Sequence, residues 1–305
     1  MGIGRNTLRA VLDTVSKKRY TTRKEISDAL GISMMAAHGA VDALVETGFL
    51  KVEKNSLHST SLRGRKSEEI TVSPERLCLL IDFCKKNICF SLSPLYGRIE
   101  FFEVIPYSDG QDLEINLDFA ASHIARYIER MELTPAIVAI AVPDFDKNFS
   151  IKDCEDSLIK AGISPDIVVS GARAASEFCS HLTSDIYAFV SVDHHAWGYS
   201  SAEPDRMILW EKVKVGAHHG ESFASVLHHE KNEDNLCIYS QRFIGAIDAV
   251  LDPDKIFIAA TALPEKVMDR LCENAKVTDI SADTPILNGL LRLAKDEIFK
   301  RAFNN

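Results

Sequence analysis

"LLIDFCKKNICF", Leu79 to Phe90, reads as two strands joined by a tight turn, with Asp82 leading into the turn and Cys84, Lys85 and Lys86 forming it. A third strand is predicted from Ile99 to Ile105. An amphipathic helix follows over about Leu113 to Met131, then a buried apolar strand, Ala136 to Val142. A helix near Lys152 to Ala161, a strand Asp166 to Ser170 and a helix from about Ala172 to Leu182 complete this block. A second strand-rich block begins again with Ile186 to Val192, Gly198 to Ser201 and Met207 to Lys214. It continues with a long helix ending near Val250, a strand Lys255 to Ala260 and two helices separated by Val277 to Ile280. The last of these has Thr284 as cap and Pro285 at its first position. Two lobes, each opening with strands and closing with helix and strand in alternation, predict a duplicated, ribonuclease-H-like α/β body.

Ahead of that body the pattern differs. From Asn6, Leu8, Val11, Leu12 and Val15 fall on one helical stripe. Thr22 caps a second helix, with Glu25 in capping-box spacing and Ile26 and Leu30 facing inward, and Gly31 closes it. Ser33 caps a third, whose inward stripe is Ala37, Val41, Leu44 and Val45. Helix, glycine-containing turn and helix have the spacing of a helix-turn-helix. Two short strands, Phe49 to Val52 and Ile70 to Val72 around a polar tip, would make the wing of a winged helix.

Charge divides the chain at the same place. The net charge is −9, but residues 1–72 hold 12 Lys/Arg against 8 Asp/Glu, net +4, leaving 23 against 36, net −13, for the rest. A basic head on an acidic body points to an anionic partner for the head, and double-stranded DNA is the partner expected. The domains are therefore read as 1–72, a winged helix-turn-helix, and 73–305, a two-lobed body with lobes of about 73–183 and 184–305. No apolar run approaches the roughly eighteen residues needed to cross a bilayer, and no signal peptide stands out, so a soluble, cytoplasmic protein without a membrane partner is expected. The seven cysteines are odd in number and form no C-x-x-C pair; they read as mostly buried thiols, with neither disulfides nor a cysteine metal site indicated.

At the start of the third helix stand Ser33, Met34, Met35, His38 and Gly39. Base edges are read by hydrogen bonds and apolar contacts in the major groove. The methionines can touch thymine methyl groups and His38 can reach a base or a phosphate, but no Arg, Gln or Asn offers a bidentate bond. Backbone contacts are assigned to Arg23 and Lys24, with Lys17, Lys18 and Arg19 nearby, because phosphate contacts supply most of the affinity. Arg63-Gly64-Arg65-Lys66 is short and basic, suited to a narrow A/T-rich minor groove or, alternatively, a solvated linker. The bland alternative for the whole head is a dimerisation or protein-docking module.

Three stretches carry a family resemblance. "GRKSEEITVSPERLCLLIDF", "LDPDKIFIAATALPE" and "TPILNGLLRLAKDEIF" follow, in order, the join between wing and first kinase strand, the helix-end and strand near the nucleotide site, and the closing helix with Gly289 at its small-residue position. In these the chain resembles the ROK family (repressors, open reading frames, kinases), in its winged-helix repressor branch. The resemblance implies an actin-like body of the sugar-kinase type, a homodimer or homotetramer, and a small-molecule effector that is a sugar by family likeness alone.

The same resemblance exposes what the body lacks. Phosphate loops need glycine, because backbone N–H groups must approach the anion at positive φ. The family's D-x-G-x-T loop keeps Asp82 here but has Cys84 and Lys86 at its glycine and threonine. Its G-T-G segment becomes Asp193, His194 and His195, and its third glycine loop becomes Ala259, Ala260 and Thr261. The Asn-Asp pair that supplies the general base corresponds to Ser170 and Gly171, leaving only Glu177 two turns on. Of the sugar-gripping E-x-G-H motif only Glu221 matches, with Phe223 and Ala224 beside it, and the cysteine loop that completes a zinc site is missing apart from Cys237 nearby. No catalytic residue, cofactor or metal is therefore expected. Six of ten histidines occur as pairs (His194-His195, His218-His219, His228-His229), read as surface or cleft residues, of which His195 and His219 with Glu221 and Trp197 would line an effector cleft. The expected function is a DNA-binding transcriptional regulator with a body that senses and dimerises; the alternatives are an active sugar kinase and a docking scaffold that does not touch DNA.

Overall fold

The computed structural model of the chain describes residues 4–18, 20–53, 68–83, 87–99, 101–108, 110–142, 150–183, 186–191, 196–200, 230–259 and 263–303. It divides into two compact units, Met1–Cys78 with Ser93–Glu100 and Lys295–Asn305, and Leu79–Leu92 with Phe101–Ala294.

The first unit begins with three helices, α1 (Arg5–Ser16), α2 (Arg23–Leu30) and α3 (Met34–Glu46). The expected stripe of α1 is fully inward, with Leu8, Val11, Leu12 and Val15 buried. Thr22 accepts a hydrogen bond from the Glu25 N–H at 3.2 Å while the Glu25 carboxylate accepts from the Thr22 N–H at 3.1 Å, so the predicted capping box forms and satisfies two otherwise orphaned donors. Gly31 ends α2 at φ +62°, a left-handed turn that a side chain would resist. On α3 the buried residues are Ala37, Ala40, Val41 and Leu44. Val45, expected inward, is 37% exposed. At 100° per residue it lies about 80° beyond Ala37, whereas Ala40 falls inside the stripe.

Strands β1 (Leu50–Glu53) and β2 (Glu69–Val72) pair antiparallel, Leu50 opposite Val72. Thr21 bridges Ile70 through two backbone bonds of 3.0 and 2.8 Å, tying the segment before α2 to the hairpin. Phe49, at the start of that hairpin, is buried at the centre of an aromatic cluster. The Arg76 guanidinium lies 4.5 Å over its ring and donates to the Thr47 carbonyl. Tyr96 meets it edge-on at 5.9 Å, and Phe299 and Phe303, from the far end of the chain, pack at 6.0 and 5.7 Å. Arg9 pairs with Asp296, and Arg5 donates to the Phe303 carbonyl at 2.9 Å. The core around the three helices therefore draws on residues well outside 1–72.

The second unit holds both large sheets. The first runs β5-β4-β3-β6-β7, from β3 (Leu77–Phe83), β4 (Asn87–Pro94), β5 (Glu103–Pro106), β6 (Ile137–Val142) and β7 (Ile167–Ser170). β5 is antiparallel to β4 and β7 parallel to β6. α4 (Leu113–Arg130) and α5 (Ile151–Lys160) close on Leu79, Ile81, Phe83, Phe90 and Ile140 with Leu117, Ile124 and Leu158. β5 is shorter than the predicted Ile99–Ile105: the Ser91 hydroxyl donates to the Phe101 carbonyl at 2.7 Å, a side-chain bond where the ladder would continue, and Phe101 and Phe102 stay exposed.

The second sheet runs β11-β10-β8-β9, with β8 (Tyr187–Ser191), β9 (Ala196–Ser200), β10 (Lys255–Ala259) and β11 (Val277–Asp279). β8 pairs antiparallel with β9 and parallel with β10, and β10 pairs parallel with β11. Its helices are α6 (Gly171–Leu182), α7 (Glu233–Leu251), α8 (Glu265–Cys272) and α9 (Pro285–Phe303), with Pro285 at the first position of α9 as the sequence predicts. Each sheet has a hairpin on one side of its first strand and crossover connections on the other. That common order is the duplication expected from the sequence. The predicted strand Met207–Lys214 lies outside the described residues. Among the described residues no helix is long and apolar enough to cross a membrane.

Candidate functional site

The start of α3 is an open surface. Ser33 accepts from the Ala36 N–H at 3.2 Å and so fixes the first turn. Met34 and Met35 stand 44% and 85% exposed, and His38, one turn on, is exposed as well. Four positions along a helix return to nearly the same face, so the two methionines and His38 share one side of α3. Lys17 and Lys18 after α1 and Lys24 in α2 are exposed too.

Arg23 does something the sequence did not foretell. Its side chain is only 14% exposed; one guanidinium nitrogen reaches Asp42 of α3 at 2.8 Å and the other pairs with Glu68, just before β2. The guanidinium thus braces α2, α3 and the hairpin, because its planar fork suits two carboxylates at once. A phosphate would have to compete with both. Arg19, Arg63, Arg65 and Lys66 lie outside the described residues, as do Cys84, Lys86, His194, His195, His219, Glu221, Ala260 and Thr261.

The corresponding place in the body is the start of α6, where the resemblance puts Ser170 and Gly171 in place of the base. Ser170 accepts from the Arg173 N–H at 3.1 Å. Gly171 is buried, and Ala174 and Ala175 are wholly inaccessible. Ser176 shares a buried hydrogen bond with Tyr187 at 3.0 Å, and the Tyr187 hydroxyl donates onward to the Ser176 carbonyl at 2.9 Å. Gly289 of α9 comes so near that a Cβ there would fall 1.7 Å from the Ala174 carbonyl oxygen. Glu177, the remaining carboxylate, is 3.9 Å from Arg173. Serine caps the helix without offering a base, and the turns behind it are packed as core. Asp82, at the end of β3, is 5% exposed, and Ala259 ends β10 buried.

Cys78, Cys154, Cys179 and Cys237 are buried, Cys89 is half-buried and Cys272 exposed. Burial pushes the Cys78 thiol up to about 12, and pushes Cys154 and Cys179 upward too, so these three carry no activated thiolate. Among the described residues no group of three or more His, Cys, Asp or Glu is placed to hold a metal ion.

One feature escaped sequence reasoning. Glu103 of β5 and His123, Arg126, Tyr127, Glu129 and Arg130 of α4 line a surface pocket of about 490 Å³, with His123 Nε2 2.8 Å from the Glu103 carboxylate. The helical spacing of His123, Arg126, Tyr127 and Arg130 was the available signal, and the predicted strand Ile99–Ile105 contained Glu103; that the helix packs across this strand was not legible.

No family model and no curated protein matches the sequence. Among solved structures, the chain is similar to a ROK family transcriptional regulator, a homologue of the E. coli MLC protein, with a TM-score of 0.59 and 13% identity over 97% of this chain and 98% of that one. The chain shares the fold of that protein. Further likenesses are to the ethanolamine utilization protein EutJ of Carboxydothermus hydrogenoformans (TM-score 0.47, 14% identity, 73% of this chain and 90% of that) and to the ROK hexokinase of Thermus thermophilus (0.42, 13%, 71% and 98%).

Proposed function

We propose that this chain is a DNA-binding transcriptional regulator of the ROK type, a winged helix on a body that no longer binds ATP or phosphorylates sugar. The observation that carries the proposal is the open start of α3, with Met34, Met35 and His38 exposed in the basic N-terminal part of an acidic chain, whose Lys17, Lys18 and Lys24 are exposed too. The end-to-end likeness to a transcriptional regulator supports it. In this reading Met34, Met35 and His38 face base edges, Ser33 fixes their helix, and Lys24, Arg63, Arg65 and Lys66 contact backbone and minor groove. Arg23 holds α2, α3 and the hairpin in register.

For the body, the proposal rests on chemistry. General base catalysis contributes roughly 10² to 10⁴ in rate. A serine cap at the start of α6, with alanines at 0% exposure a turn behind it, supplies no proton acceptor there. The three loops without glycine remove phosphate positioning as well. The body would then serve dimerisation and sensing in the cytoplasm: an effector bound by His195, His219 and Glu221, or a partner protein, would favour one arrangement of its lobes and so one spacing of paired heads on a palindromic site. An electrophoretic shift of random-sequence duplex DNA at low salt tests the head, and a coupled ADP assay over hexoses and N-acetylated hexosamines tests the body. A shift without turnover is expected; turnover without a shift would make the protein a sugar kinase, and neither would leave a docking scaffold.

A further inference from the structure

The first turn of α3 carries a choice of side chains that limits what it can read. Met34 and Met35 are 44% and 85% exposed, and a thioether donates no hydrogen bond. Asp42, one turn beyond His38 on the same face, would repel a phosphate backbone, but Arg23 holds its carboxylate at 2.8 Å. The exposed Lys17, Lys18 and Lys24 complement that backbone. A nucleic-acid duplex is thus the occupant whose charge fits the net +4 of residues 1–72. Within the major groove an apolar side chain has one matching group, the C5-methyl of thymine. Methionine suits it, because its flexible, polarizable chain adapts to the position of the methyl.

Resting on the DNA-binding reading above, we propose that Met34 and Met35 make the head a reader of thymine methyl groups, so that each bound half-site presents thymines to the first turn of α3. The specificity of the head is then apolar. It distinguishes thymine from cytosine by the presence of a methyl, without a bidentate hydrogen bond.

The test uses the full chain. A randomised duplex library yields bound sequences, and each thymine of the selected site is then replaced by deoxyuridine, which removes only the methyl. Removal is expected to weaken binding about fourfold for each methyl contacted, the equivalent of one buried carbon. Met35→Ala, at a side chain that is mostly in solvent, should leave thermal unfolding unchanged and reduce the preference for the thymine over the deoxyuridine duplex, while Met35→Leu should keep it. A wild-type protein that binds both duplexes equally overturns the proposal and leaves DNA binding intact. Discrimination that persists in the Met34→Ala/Met35→Ala double variant overturns the assignment to these residues. A library that yields no bound duplex at any salt overturns this proposal and the DNA-binding reading together.

Discussion

Two helices of this molecule begin in nearly the same way and end up in opposite situations. α3 and α6 are each capped by a serine, Ser33 and Ser170, whose hydroxyl accepts from a backbone N–H at 3.2 and 3.1 Å. Behind the first cap come Met34 and Met35 in solvent; behind the second come Gly171, Ala174 and Ala175 out of it. The amide donors at a helix start are a ready place for an anion or a base edge. Only α3 keeps its surroundings open. At α6 small residues admit Gly289 and Tyr187, and the place where the family resemblance expects a proton acceptor is filled by packing. On the proposed reading, that difference assigns DNA contact to the head and leaves the start of α6 a structural role.

The strongest way to break that contrast is to force α6 open. Gly289→Ala puts a Cβ into the Ala174 carbonyl, a backbone atom that cannot swing aside, so the loss should exceed about 3 kcal/mol in urea unfolding. A variant as stable as the parent would mean that the start of α6 has room for chemistry after all. Phe299→Ala should cost about 3 kcal/mol through the cavity left beside Phe49 and Phe303, and should abolish duplex binding although residue 299 is remote in sequence from α3. Binding that survives would show the three helices to be self-sufficient.

A paired substitution sharpens the comparison. Ser33→Ala and Ser170→Ala should each cost about 1 kcal/mol, the usual worth of such a cap. Only Ser33→Ala should also weaken duplex binding, since only its helix start meets a partner. Equal effects of the two on DNA would erase the distinction. The smallest effect expected is none: Gly171→Asp places a carboxylate at the family's base position, and ADP release with any hexose should stay at background if, as proposed, the three loops without glycine do not hold the phosphates. A gain of about a hundredfold would show that a missing base was the sole defect.

Much of this was legible in the chain. The capping box at Thr22 and Glu25, the left-handed Gly31 and the alternation that fixes both sheets are local patterns, set by residues three or four apart or by the two-residue period of a strand. The open start of α3 followed from Ser33 and the stripe behind it. Other features depend on residues that meet only through the fold. Phe299 and Phe303 completing the cluster around Phe49 carry no local signal, which is why the compact head reaches beyond residues 1–72. Arg23 looked like a surface cation because its two carboxylates, Asp42 and Glu68, come from separate elements. The pocket of His123 and Glu103 pairs a helix with an edge strand whose start the sequence misjudged by four residues.

The most direct test of the account is the salt dependence of duplex binding by the full chain, followed by fluorescence anisotropy of a labelled random-sequence duplex. Each phosphate neutralised contributes about −0.9 to the slope of log K against log salt, so the exposed lysines of the head and the basic Arg63-Lys66 stretch predict a slope of about −3 or steeper. A flat dependence, or no binding at about 50 mM salt where such contacts are strong, would contradict it.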